Sequence, residues 1–315
     1  MVNIGDSSSM KDDSAMLVSV LMPCYNSART LPMALASLLA QTYENWECVL
    51  VDDGSTDHPE SVVEAAADRR IRYIRLERNM GRGFARQVTL EEAQGEFIAF
   101  LDADDWMYPW RLARQVEVMS AHPDLAVLSA GMAIVDPGGA IRGVRGAVET
   151  GGGILLRKGL RRPGTAPVPF AASIIRQEVA REVRFDVEFK LGEDTEFLTR
   201  ALAGRPYGLV DEVLYAYAEH ASVDFAKVAE SSRLEAKRYL GYREGYPLLS
   251  RLRWLQCWGK ICAYWSLDKA GLWAWTIARR SRKPTAVETA RFQEARAAVE
   301  RKAERMFGAR VAAVQ

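Results

Sequence analysis

A run of five apolar residues, FIAFL at 97–101, is cut off by three carboxylates, Asp102, Asp104 and Asp105. An unbroken apolar run of that length is the pattern of a strand buried on both faces, as in a parallel sheet. Three carboxylates at the end of such a strand repel one another, which costs stability unless a cation neutralises them or water solvates them. Hard oxygen ligands suit Mg²⁺ or Mn²⁺, and a cation held this way carries phosphate oxygens on its free positions. In open α/β sheets the ligand crevice lies beyond the carboxyl ends of the strands, where these acids would sit. Read blandly, the same acids are a capping turn for the helix that starts near Pro109.

The stretch upstream repeats the motif. VSVLM at 18–22 is a first strand closed by Pro23, and CYNS at 24–27 is a turn. Thr30 and Pro32 mark a helix start, and Leu31, Leu35, Leu38 and Leu39 recur at helical spacing. WECVLV at 46–51 is a second strand that also ends in acids, Asp52 and Asp53, followed by Gly54, Ser55, Thr56 and Asp57. A helix to about 68, a strand at 71–76, a glycine-punctuated turn at 79–87 leading into a helix, the strand at 97–101 and a helix over 109–121 complete the series. Strands alternating with helices of this length predict right-handed βαβ units and a mostly parallel sheet.

Composition sets the outer limits. With 49% apolar and 26% charged residues in a chain of 315, the sequence can bury a sizeable core. Its net charge of +1 conceals an asymmetry: residues 225–315 hold 19 Lys/Arg against 8 Asp/Glu, and the first 224 hold 23 against 33. An acidic body with a basic tail points to an anionic partner for the tail. Cys24, Cys48, Cys257 and Cys262 have neither zinc spacing nor the density of a disulfide framework, which predicts reduced thiols and a cytoplasmic setting. Residues 1–16 read as a polar, disordered leader rather than a signal peptide. No uncharged apolar stretch reaches the roughly 18 residues that a spanning helix needs.

The segments VSVLMPCYN (18–26), QTY (41–43), VDDGSTD (51–57), 79–86 and FLDADD (100–105) together resemble the inverting, nucleotide-sugar-dependent glycosyltransferases of family 2. The resemblance resumes at 192–200 and 215–222. It implies an α/β protein of the GT-A fold, Rossmann-like, with a mostly parallel central sheet flanked by helices and a C-terminal helical extension. The division it implies is a leader over 1–16, a catalytic domain over 17–224 and a basic, Trp-rich extension over 225–315.

The resemblance also implies roles. Pro23, Tyr25, Asn26 and Asp53 would surround the nucleotide base, with Arg82, Arg86 and Asp102 at the ribose and diphosphate. Asp104 would bind Mn²⁺ or Mg²⁺, joined by His220, and Asp105 would lie behind it. At Glu193-Asp194, Asp194 would be the catalytic base, with Glu193 supporting it or contacting the acceptor. A single displacement by a hydroxyl inverts configuration and needs one such carboxylate. Without the resemblance, Glu193, Asp194 and Glu196 are acids at a helix start, where the dipole favours them. Gln87 and Ala218 depart from the family pattern, which has Asn and Arg there.

The expected activity is therefore transfer of a hexosyl or N-acetylhexosaminyl group from a nucleotide-diphosphate donor, UDP by family frequency. The acceptor would be a glycan, a lipid-linked glycan or another cell-envelope hydroxyl. A nucleotidyltransferase would need a glycine-rich, cationic triphosphate loop after the first strand, which PCYN at 23–26 does not supply. A degenerate binder of sugar nucleotides is the other alternative.

The tail adds Trp254, Trp258, Trp265, Trp273 and Trp275 among Arg251, Arg253, Lys260 and Lys269. Aromatic and basic residues on one helix fit an anionic membrane surface at the inner face of the cytoplasmic membrane. A helical hairpin folded on the catalytic domain or on a second subunit of a homo-oligomer is the competing reading; no nucleic-acid partner is expected. A final charged helix carries Phe292, Ala295, Val299, Ala303 and Met306 on one stripe, suited to packing on another helix.

Overall fold

The computed structural model describes residues 16–146, 153–162, 164–189, 191–219, 225–273, 276 and 279–308, so the expected leader lies outside it except for Met16. The first half follows the predicted alternation. β1 (Val18–Cys24) leads through α1 (Leu31–Leu39) to β2 (Trp46–Asp52). The chain continues through α2 (Glu60–Ala66) to β3 (Ile71–Arg75), and through α3 (Arg82–Glu92) to β4 (Phe97–Phe100). These strands pair in parallel in the order β3-β2-β1-β4. The strand order therefore reverses between β1 and β4, and the crevice outside their carboxyl ends is where such a sheet receives a ligand. Buried residues line both faces of β1 and β4, as the unbroken apolar run of β4 requires. The leucine stripe of α1 packs inward, with Leu31, Leu35 and Leu38 fully buried.

The second half is mixed. It comprises β5 (Trp106–Met107), α4 (Arg111–Ala121), β6 (Val127–Val135), β7 (Ile141–Arg145), β8 (Ile154–Arg157), β9 (Ile174–Arg176), α5 (Gln177–Val183), α6 (Glu193–Ala201) and β10 (Tyr207–Ala218). β6 and β10 pair in parallel, but β9 runs antiparallel between β4 and β6. β5, β7 and β8 are also antiparallel to their neighbours. The sheet as a whole is thus less parallel than expected. A turn as short as the one from β6 to β7 can only return the chain antiparallel, whereas a parallel neighbour needs a crossover.

The basic extension divides into two parts. α7 (Phe225–Gly241) and α8 (Pro247–Lys269) form a helical hairpin, with Ala236, Tyr239 and Cys257 buried between them. α9 (Ala286–Phe307) returns to the main sheet, where Phe292, Ala295, Val299, Ala303 and Phe307 join the same core as β1, α1 and β2. The predicted stripe finds its partner helix within the chain, on α1 and α2. Its Thr285 and Glu288 form a reciprocal capping box. All four cysteines are free thiols, and among the described residues no helix is long and apolar enough to cross a membrane.

Candidate active site

Three loops meet at the carboxyl edge of the parallel strands. Pro23 ends the apolar part of β1, opposite Val51, and lies past the last β1–β4 pair at Leu21 and Phe100. Its missing N–H therefore costs no ladder bond there. Asn26 adopts a positive φ of 48°, an angle that Asn tolerates better than most residues. Its N–H donates to Ser55 Oγ at 2.9 Å, and its Oδ1 accepts the Thr56 N–H at 2.9 Å. Asn26 therefore ties the β1 loop to the β2 loop. Tyr25, 48% exposed, is the ring this loop leaves open to a flat ligand.

Asp53 is buried, and its two oxygens accept the N–H groups of Met80 (2.6 Å) and Gly81 (2.9 Å). Burial pushes its pKa up despite those donors. It fixes the start of α3 against the end of β2, and each oxygen keeps a second lone pair for a ligand. The neighbouring Asp52 accepts from Ser55 N–H (2.9 Å) and the Tyr73 hydroxyl (2.6 Å), which holds the turn from beneath.

Arg86 on α3 is the junction of the site. One guanidinium nitrogen donates to Asp102 Oδ1 and another to Glu193 Oε1, each at 2.8 Å. The side chain is buried, with its cationic carbon 4.9 Å from the centre of the Phe170 ring. Phe170 stacks on Phe100 at 4.0 Å, and Phe185 stacks on Phe197 at 4.1 Å, which makes an apolar floor. Burial alone would lower the Arg86 pKa, but Asp102 and Glu193 outweigh it and hold the group above its ordinary value. For Asp102 burial acts upward, and the Arg86 and Arg82 charges win, holding its carboxyl below the usual range. Arg82 approaches Glu193 Oε1 at 2.5 Å from the exposed side. The two arginines expected at the diphosphate are thus joined through one acid. Arg86 is sealed inside as an ion-paired strut, and Arg82 keeps an exposed flank that a ligand can meet.

Glu193 is buried and occupied by both arginines. These two ion pairs leave little surface for an acceptor to meet. Asp194, the next residue in the first turn of α6, is partly exposed, with Oδ1 accepting the Thr195 N–H at 2.6 Å. Gly192 opens the helix at φ 78°. The pair thus splits, one carboxylate turned inward to be clamped and the other left at the surface of the site.

Past β4, Asp105 is buried, accepting from the Tyr215 hydroxyl (2.7 Å) and the Ala218 N–H (2.8 Å). Position 218 thus contributes a backbone donor, which alanine supplies as well as arginine does. Gln87, the other departure, accepts the Phe185 N–H at 2.8 Å and donates to Glu91 at 2.9 Å. Burial and the charges of Asp104 and Asp102 push the Asp105 carboxyl well above the usual range. That crowding of hard oxygen donors at a buried strand end fits a divalent cation. Among the described residues no cluster of three metal-type side chains forms. His220, expected at the metal beside Asp104, lies outside them.

Two contributors escaped the sequence reading. The Tyr215 hydroxyl accepts the Asp102 N–H at 3.2 Å while donating to Asp105, so one phenol braces both acids. Arg111 is fully buried and donates to the carbonyls of Phe100 (2.9 Å), Ala171 (3.0 Å) and Ser173 (3.0 Å), which fixes the end of β4. Burial lowers its pKa to about 10. The resemblance over 215–222 includes Tyr215 without giving it a role; an arginine in the first turn of an amphipathic helix carried no signal.

The model of the family described as Glycosyl transferase family 2 matches residues 19–184, more than half of the chain. The Escherichia coli enzyme UDP-Glc:alpha-D-GlcNAc-diphosphoundecaprenol beta-1,3-glucosyltransferase WfgD is 41% identical over 103 residues, covering 33% of this chain and 41% of its own length. Succinoglycan biosynthesis protein ExoU of Rhizobium meliloti (strain 1021) is 30% identical over 240 residues, covering 69% of this chain and 68% of its own. The match to WfgD therefore spans less than half of that relative, whereas the match to ExoU spans about two thirds. Among solved structures, S. aureus TarS 1–349 in complex with UDP is 28% identical with a TM-score of 0.52, over 71% of this chain and 66% of that one. Sheet order, the acids at the strand ends and these matches agree: the chain belongs to glycosyl transferase family 2 and has the GT-A fold.

Proposed function

We propose that the protein is an inverting glycosyltransferase of cell-envelope polysaccharide biosynthesis. It takes a sugar from a nucleotide-diphosphate donor, a UDP-sugar, and delivers it to a hydroxyl of a glycan or lipid-linked glycan. The observation that carries the reading is the Arg86 bridge, which joins Asp102, at the end of β4, to Glu193, beside Asp194. A donor-binding edge and a base-bearing helix held by one buried cation is the geometry a single displacement needs, with both reactants on one rigid frame. The choice of UDP is supported by WfgD, whose name gives UDP-Glc as donor and a diphosphoundecaprenol-linked acceptor, and by the UDP complex of TarS.

In this mechanism Tyr25 covers the base, and Asn26 and Asp53 keep the base-binding loops in place. Asp104 and His220 would hold Mg²⁺ or Mn²⁺, with Asp102 on the ribose or reaching the ion through water; when bound, the cation would neutralise the departing diphosphate. Arg82 meets the same developing charge from its exposed flank. Asp194 accepts the proton of the acceptor hydroxyl as that oxygen attacks the anomeric carbon, on the face opposite the leaving group. Glu193, neutralised by two arginines, keeps the first turn of α6 fixed so that Asp194 stays aimed.

Calorimetric titration with UDP, GDP and CDP, each with Mn²⁺ or with chelator, tests the reading on the wild type and Asp104→Ala. Metal-dependent binding of UDP that the substitution weakens is the expected result. Equal affinity for all three with chelator present would overturn it.

A further inference from the structure

We propose that the outward face of α8 is a docking surface for an anionic lipid bilayer. α8 is apolar on two opposite sides, and the fold covers one of them. Ser250, Cys257 and Ile261 face inward. On the other side Leu248, Leu252 and Leu255 follow one another at helical spacing and are 75%, 57% and 56% exposed. Trp258 and Trp265 are exposed along one flank of that stripe. A helix that is apolar all round is ordinarily enclosed, so an open leucine stripe calls for a covering partner.

Charge identifies the partner. Arg251 and Lys269 are exposed on the outward half of the helix, and Lys260 is exposed beside it. The helix's acid, Asp268, lies in line with Ser250, Cys257 and Ile261 on the inward side. Leucine and tryptophan with cations at the edge, and no carboxylate among them, is the composition of a helix that lies in a membrane interface. Two copies of this face would set Arg251 and Lys269 against their own counterparts with no acid to receive them, which disfavours self-association.

The position of the hairpin gives this surface a use. Thr165 Oγ1 donates to Glu235 Oε1 of α7 at 2.6 Å, and the Tyr246 hydroxyl donates to the Arg161 carbonyl at 3.2 Å. Ser231 Oγ of α7 lies 3.7 Å from where a Cβ on Gly192 would stand, beside the start of α6 and Asp194. The hairpin that presents this face is thus anchored, through α7, beside the element that carries Asp194. This use rests on the proposed transfer to a lipid-linked acceptor; the docking itself does not.

Co-sedimentation of the full chain tests the proposal, with vesicles of phosphatidylcholine alone and of phosphatidylcholine mixed equally with phosphatidylglycerol. The wild type is expected to sediment with the anionic vesicles, to stay in solution with the neutral ones and to be released by salt. Leu252→Ser with Leu255→Ser abolishes sedimentation, and Arg251→Gln and Lys269→Gln each weaken partitioning about fivefold, all with unchanged circular dichroism and UDP affinity. Wild type that ignores anionic vesicles at low salt overturns the proposal. So does a dimer in light scattering that Leu252→Ser with Leu255→Ser returns to monomer, which would assign the face to a second copy. Vesicle binding by a protein that binds no nucleotide would leave the docking surface standing and remove the transferase reading beneath it.

Discussion

Arg86 and Glu193, 107 positions apart in sequence, meet at 2.8 Å inside the protein, and the same guanidinium reaches Asp102 at 2.8 Å. α3 begins beside the end of β2, Asp102 follows β4, and Glu193 opens α6, so one side chain sets the relative positions of three elements. Removing it leaves Glu193 buried with Arg82 alone and Asp102 without its partner.

Arg86→Met should therefore destabilise the fold by about 3–5 kcal/mol, the range for taking one partner from a buried ion pair. Arg86→Lys, which keeps the charge but not the two-pronged geometry, should lose less. Urea unfolding of the three proteins measures both. A methionine variant as stable as wild type would show that the strut carries no weight.

Gly54 has φ +72°, and a Cβ there would stand 2.5 Å from the carbonyl carbon of Arg78. Gly54→Ala should cost about 1–3 kcal/mol and displace Asp53, so its melting temperature should fall and its UDP affinity weaken together. Loss of stability with unchanged UDP affinity would separate this turn from the nucleotide site.

Phe292 of α9 is buried, with its ring 5.4 Å from Trp106 and 6.4 Å from Tyr108. Phe292→Ala should cost about 3–5 kcal/mol of stability, as for any core position. If α9 were a loosely attached tail, the variant would unfold at the wild-type urea concentration.

Glu288 accepts from both terminal nitrogens of Arg282 (2.6 and 2.8 Å) and from the Thr285 N–H (2.8 Å). The Arg282 bond is the main cause that holds its pKa below the ordinary value, against burial. A carboxyl depressed on folding stabilises the protein above its unfolded pKa, about 4.3. That stabilisation is lost as pH falls below this value and through the folded one. Glu288→Gln should be less stable than wild type by about 1 kcal/mol at neutral pH, and unfolding curves should bring the two together on acidification. A gap that widens at low pH would contradict the sign.

Much of the first half was legible because its signals are local. The β-rich run at 18–22 and the unbroken apolar run at 97–101 read as buried strands, and the acids that end the strands at 46–51 and 97–101 fall at one edge once the helices impose parallel pairing. The antiparallel β9 was not legible: three residues, Ile174–Arg176, give no periodicity to read, and their place between β4 and β6 is a tertiary choice. The inward turn of Glu193 and the exposure of Asp194 depend on Arg86 and Arg82, more than a hundred residues away, which spacing cannot reveal. α9 was legible as an amphipathic helix but not as part of the core, since a stripe does not name its partner.

The most direct test of the central claim is turnover and UDP binding of Asp194→Asn, a change that keeps the side-chain shape and an oxygen for the Thr195 N–H. The account predicts UDP affinity in the presence of Mn²⁺ close to wild type and sugar transfer slowed by about a hundredfold to ten-thousandfold, the usual contribution of a general base. Transfer at the wild-type rate would contradict it and move the base elsewhere in the site.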